Sequence, residues 1–101
     1  MNKSNTNMTL LKFLGWIEIP KNSNYHEEIK LAMMLDPHRN LKVPPDIEKD
    51  LNALHDVEVL LSKVDNILYN VYCKKLTYLK KPILKITVKD RAKILAELMQ
   101  G

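Results

Sequence analysis

The sequence is poor in the residues that most often announce chemistry. Among its 101 residues there is a single cysteine, Cys73. No disulfide can close within the chain, and no cysteine-based tetrahedral zinc site can be assembled in it. Cys73 has no histidine near it in sequence and reads as a small buried hydrophobe rather than a nucleophile. The two glycines, Gly15 and Gly101, are too few and too far apart for a phosphate-binding loop or a dinucleotide fingerprint, which excludes nucleotide chemistry of those classes. No segment approaches the roughly 18 consecutive apolar residues of a membrane span. The opening Met1–Asn7 is polar, and Lys12 interrupts the apolar run after it, so no signal peptide is expected. These absences lead to the expectation of a soluble, cytoplasmic protein that needs no cofactor. The three histidines, His26, His38 and His55, are scattered. None has a further ligand at the spacing of a known metal motif; His55 with Asp56 and Glu58 is the nearest cluster, and it reads as a partly exposed helical residue bonded to a neighbour rather than a metal ligand.

What is present is ordinary in amount and uneven in distribution. With 46% hydrophobic and 28% charged residues, the chain is too apolar for disorder and has the length of one domain. Residues 1–7, rich in asparagine, read as a flexible tail before a single domain over 8–101. The net charge of +4 conceals two opposed stretches. From Lys74 to Lys93, eight basic residues face the single acid Asp90, a local charge of +7. From Asp46 to Glu58, five acids face Lys49 alone, a local charge of −4. The acids are expected to line a solvated helix face and its N-terminus, where the helix dipole favours them. The basic stretch could attract phosphate or an acidic protein surface. Its fourteen-to-two excess of Lys over Arg in the whole chain instead suits a solvated face, because Arg is preferred for bidentate phosphate contacts.

Hydrophobic spacing predicts an α+β fold. A helix near 5–14 carries Leu10, Leu11 and Phe13, with Gly15 as its left-handed C-cap. Trp16–Ile19 alternates as a strand near 16–20, stopped by Pro20. Residues 25–35 fit two templates. Asn24-Tyr25-His26-Glu27 has capping-box spacing, while Ile29, Leu31, Met33 and Leu35 alternate as a strand near 28–35 that pairs back on 16–19. Asp36–Asn40 reads as a turn. A long helix is expected near 46–63, with Ile47, Leu51, Leu54, Val57, Val59, Leu60, Leu61 and Val64 on one side. A further helix near 66–80 starts from Asp65 or Asn66 and ends before Pro82, although Ile67, Tyr69, Val71 and Cys73 also fit a strand. An extended piece near 83–87 precedes a last helix near 88–99, capped by Thr87 and Asp90.

Within the basic stretch, Lys74, Lys75, Lys80, Lys81, Lys85 and Lys89 are the candidate binding residues. Tyr78, set among lysines, is the aromatic placed to stack on a base. Trp16 and Tyr72 read as core.

Gly15-Trp16 after a leucine-rich helix, Asp36-Pro37, the run Pro45-Asp46-Ile47-Glu48-Lys49-Asp50-Leu51-Asn52-Ala53-Leu54-His55-Asp56-Val57-Glu58, and Thr87-Val88-Lys89-Asp90-Arg91-Ala92-Lys93-Ile94-Leu95 together resemble the small phage ABA sandwich proteins. The resemblance touches about half the chain. It implies helices packed on an antiparallel sheet, encoded by a phage, prophage or related mobile element. It also implies an extended segment before Asp36-Pro37, which favours the strand for 28–35. It brings no activity, cofactor or catalytic residue. The expected function is therefore non-catalytic binding of a host or phage protein by a monomer or homodimer. Direct nucleic-acid binding through the 74–93 segment is the alternative, and contact with a membrane is not expected.

Overall fold

Gly15 shows how local chemistry sets the first boundary. In the computed structural model, which describes residues 5–79 and 86–100, helix α1 (Asn5–Phe13) stops where Gly15 takes φ +100°. The Gly15 N–H donates to the Lys12 carbonyl and the Trp16 N–H to the Leu11 carbonyl, each at 3.0 Å, the paired bonds of a Schellman cap. A Cβ at Gly15 would sit in ordinary contact with Pro37, 3.4 Å away, so it is the positive φ that calls for glycine here. The cap turns the chain so that Ile17 exchanges both backbone hydrogen bonds with Leu35, each 2.9 Å.

That bridge is all that forms of the strand expected near 16–20. The second expected strand, 28–35, is corrected more strongly: Glu27–Ala32 is helix α2, and only Met34–Leu35 is extended, as β1. His26 is the N-cap, its Nδ1 accepting from the Glu28 N–H at 3.4 Å. Glu27 and Glu28 fill the first turn, where the dipole favours acids, and Lys30 the last. The alternation that suggested a strand puts no common face inward, since Leu31 is 62% exposed and the buried residue is Met34, not Met33.

β1 pairs antiparallel with β2 (Leu41–Lys42), Met34 opposite Lys42 and Leu35 opposite Leu41. Asp36 closes the hairpin from within. Its Oδ1 accepts from the backbone N–H groups of His38 at 2.9 Å and Asn40 at 2.8 Å, and Lys42 Nζ lies 3.3 Å from Oδ2. Arg39 takes φ +69° to complete the turn.

Helix α3 (Leu51–Val64) begins later than the expected 46. Asp50 is its N-cap, accepting from Asn52 and Ala53 N–H groups, while Asp46–Lys49 forms a separate turn. Asp65 ends α3 and at once caps α4 (Asn66–Tyr78), accepting from the Leu68 N–H at 3.0 Å. The helix reading of this segment is therefore the one realised. Helix α5 (Val88–Gln100) opens with the expected reciprocal box, Thr87 N–H to Asp90 Oδ2 at 3.2 Å and Asp90 N–H to Thr87 Oγ1 at 3.1 Å. Of the extended piece expected near 83–87, residues 83–85 lie outside the described residues, and Ile86 and Thr87 belong to no strand.

The fold is thus α+β, with five helices and a two-stranded antiparallel sheet among the described residues. Helix α5 packs on α1, α3 and α4, and the shared core contains Leu10, Leu11, Met34, Ile47, Leu54, Val57, Leu61, Tyr72, Ala92 and Leu95. Burying each of the Leu, Ile, Val and Met side chains among these contributes about 1.5–3 kcal/mol. Trp16 lies partly buried against this core. The expected tail over 1–7 does not hold for Asn5–Asn7, which form the first turn of α1; residues 1–4 lie outside the described residues. Asn7 is fully buried, its Oδ1 accepting from the Ile47 N–H at 2.7 Å and its Nδ2 donating to the Pro45 carbonyl at 3.3 Å. It ties α1 to the segment that leads into α3. No helix among the described residues is long and apolar enough to cross a membrane.

Candidate interaction surface

Two groups of charged residues stand out, one turned inward and one outward. The inward group joins three helices. Glu58 lies on the buried face of α3, between Leu54 and Leu61, and not on the solvated face expected for the acids of 46–58. Tyr72 of α4 donates its hydroxyl hydrogen to Glu58 Oε2 at 2.6 Å, and Arg91 of α5 donates from Nη2 to the same oxygen. Arg91 Nε also donates to the Tyr72 hydroxyl oxygen at 3.3 Å. His55, largely exposed, places Nδ1 3.8 Å from Glu58 Oε1 and pairs with it when protonated. Tyr69 leans against Tyr72 with ring centroids 6.1 Å apart.

Burial, and then the bond to the Glu58 carboxylate, raise the Tyr72 phenol above its ordinary pKa and keep it protonated. Tyr69 is raised chiefly by its hydrogen bond with Cys73. For Arg91, burial acts to lower the pKa, but the bonds to Tyr72 and Glu58 outweigh it and the guanidinium is held charged. Every polar group at the centre of this cluster already has a partner. Its chemistry is that of a clasp: Tyr72 is a poor base precursor and Glu58 has its inner oxygen doubly bonded. The signal was present in the helix period, since Glu58 stands four residues after Leu54 and three before Leu61. Its partners 14 and 33 residues away carry no local mark.

The outward group is what remains of the basic stretch once Arg91 is committed inside. Lys74, Lys75 and Tyr78 are exposed on α4, Tyr78 at 79%, and Lys89 and Lys93 are exposed one turn apart on α5. No carboxylate among the described residues pairs with any of these four lysines. Lys80, Lys81 and Lys85 lie outside the described residues. Cys73 is exposed on α4, which corrects its reading as a buried hydrophobe: the buried faces of that helix are taken by Leu68, Tyr72 and Leu76.

Elsewhere, a cleft of about 360 Å³ is lined by Met8, Ile19, Leu31, Met33 and Met34, with Glu18, Lys21, Glu27 and Lys30 around it. Its charges balance, and Lys30 is already bound to the Lys21 carbonyl at 2.8 Å. Among the described residues no three His, Cys, Asp or Glu side chains converge as metal ligands would. No family model, curated protein or solved structure matches this chain.

Proposed function

We propose that this chain is a non-catalytic accessory protein of a phage or other mobile element, acting by binding a host or phage protein. The observation that carries this reading is the unpaired lysine-bearing exterior of α4 and α5, set beside an interior polar cluster whose groups are saturated by one another. Exposed unpaired charge is available to a partner, whereas Glu58 and Tyr72 are not available to a substrate. The mobile-element origin rests on the resemblance at Gly15-Trp16, Pro45–Glu58 and Thr87–Leu95.

Affinity capture with the full chain from a host lysate tests the proposal. A stoichiometric protein is expected that is lost when the exposed lysines of both helices, Lys74, Lys75, Lys89 and Lys93, are together reversed to Glu. Repeated recovery of nothing at low salt overturns the reading. The placement of Lys89 and Lys93 on one side of α5 keeps nucleic acid as the second reading. Titration of labelled DNA and RNA across a salt series separates the two, since phosphate-driven affinity falls steeply as salt rises and charge reversal flattens the slope.

A further inference from the structure

Helix α4 is apolar on two sides. Leu68, Tyr72 and Leu76 face the core. On a second side, about 130° around the helix, Ile67, Val71, Lys74 and Tyr78 recur at i, i+4, i+7 and i+11, within an arc of about 60° at 100° per residue. This is the spacing of a helix–helix seam, yet Ile67 is 80% and Tyr78 79% exposed. Solvated single hydrophobes are common, but a run of them at seam spacing on one helix is the mark of a contact surface.

The charges on the helix select among occupants. From Asn66 to Tyr78 there is no acidic residue, while Lys74 lies in the seam and Lys75 beside it. A second copy fits poorly. Antiparallel pairing about the middle of the seam gathers the lysines of both copies at the centre, and parallel pairing sets Lys74 against Lys74. Nucleic acid fits poorly as well, because Ile67 and Val71 offer phosphate nothing and would be covered by a charged backbone. The complement of this face is a segment with apolar side chains at the same spacing and carboxylates over the lysines.

We infer that the outer face of α4 is the docking site for an acidic amphipathic helix of a partner protein, with Ile67, Val71 and Tyr78 as the apolar seat and Lys74 and Lys75 as the charge contacts. The inference rests on the binding reading above and specifies the partner's chemistry. The recognition mode is helix against helix, with anchors read one turn apart.

Panning a display library of random peptides of about 16 residues, long enough to span four turns, against the immobilised full chain tests it directly. Enriched peptides are expected to be acidic, with apolar residues at i, i+3 or i+4, and i+7. Their affinity is expected to fall about tenfold or more in the Lys74→Glu/Lys75→Glu variant and, separately, in Ile67→Ser. Both variants alter exposed positions, so circular dichroism of each should match the parent. An enriched pool without acidic bias, or binding indifferent to both variants, overturns the inference. So does salt-steep binding of a labelled DNA duplex that the lysine reversals abolish and Ile67→Ser leaves unchanged. A captured protein that binds the α4 variants as tightly as the parent leaves the binding function standing and removes this site alone.

Discussion

The hairpin and the helical region each bury a carboxylate, and they hold it by opposite means. Asp36 is satisfied within its own turn: two backbone N–H groups no more than four residues away, and Lys42 across the strand pair. Glu58 is satisfied by side chains from two other helices, Tyr72 and Arg91. The first arrangement forms as the chain turns and asks little of the rest of the molecule. The second exists only after α3, α4 and α5 have docked, so it reports and enforces tertiary packing. Breaking each in turn measures how far the two regions differ.

The largest effect is expected at Arg91. Removing the guanidinium in Arg91→Ala leaves Glu58 buried without its cation, which typically costs about 3–5 kcal/mol. Urea unfolding should show that loss. Replacing both partners, in Glu58→Leu/Arg91→Met, should recover most of it, because the desolvation of two charges is removed along with their attraction. If Arg91→Ala and the double variant were equally destabilised, the clasp would matter by its shape and not by its charge.

Tyr72→Phe is the next step down, at about 1–3 kcal/mol, since it removes one donor to Glu58 and keeps the ring in the core. It also has a pH signature. The phenol is raised in the folded state, so its contribution to stability is fully present below the ordinary value of 10.0 and is lost as pH rises through the folded value. The parent should therefore lose stability above about pH 10 more steeply than Tyr72→Phe does. Ultraviolet titration of tyrosinate should show the variant lacking a late-ionising group.

This contrast also explains what could be read in advance. The ends of α1, α4 and α5 were legible because each is written in adjacent residues: Gly15 after Phe13-Leu14, Asp65 before α4, and Thr87 with Asp90. Lys74, Lys75, Tyr78 and Lys89 are exposed in the structure. The strand expected near 28–35 gives way to helix over Glu27–Ala32 because alternation and helix period coincide over so short a run, and the N-cap at His26 favours the helix. β2, with only two residues, has no period to detect. Glu58 has the charge of a surface acid but the position of a core residue on the Leu54–Leu61 stripe, and nothing near it in sequence points to Arg91. Cys73 is the converse, an apolar residue type on an outward position.

The smallest expected effect lies at Asp36. Its carboxyl is held below the ordinary 3.8 first by the Asn40 N–H, with Lys42 and the His38 N–H adding to this against the opposing effect of burial. A lowered folded value means the stabilisation is present above the unfolded value and fades as pH falls through the folded one, so the window lies below about pH 4. Asp36→Asn keeps an oxygen that can accept from His38 and Asn40 and loses only the charge and the bond to Lys42. At neutral pH the variant should therefore unfold at slightly lower urea than the parent, and the two should converge as pH drops below the Asp36 value. If Asp36→Asn instead matched Arg91→Ala in size, the hairpin carboxylate would be supporting more than its own turn, and the division between local and remote satisfaction would fail at its simpler end.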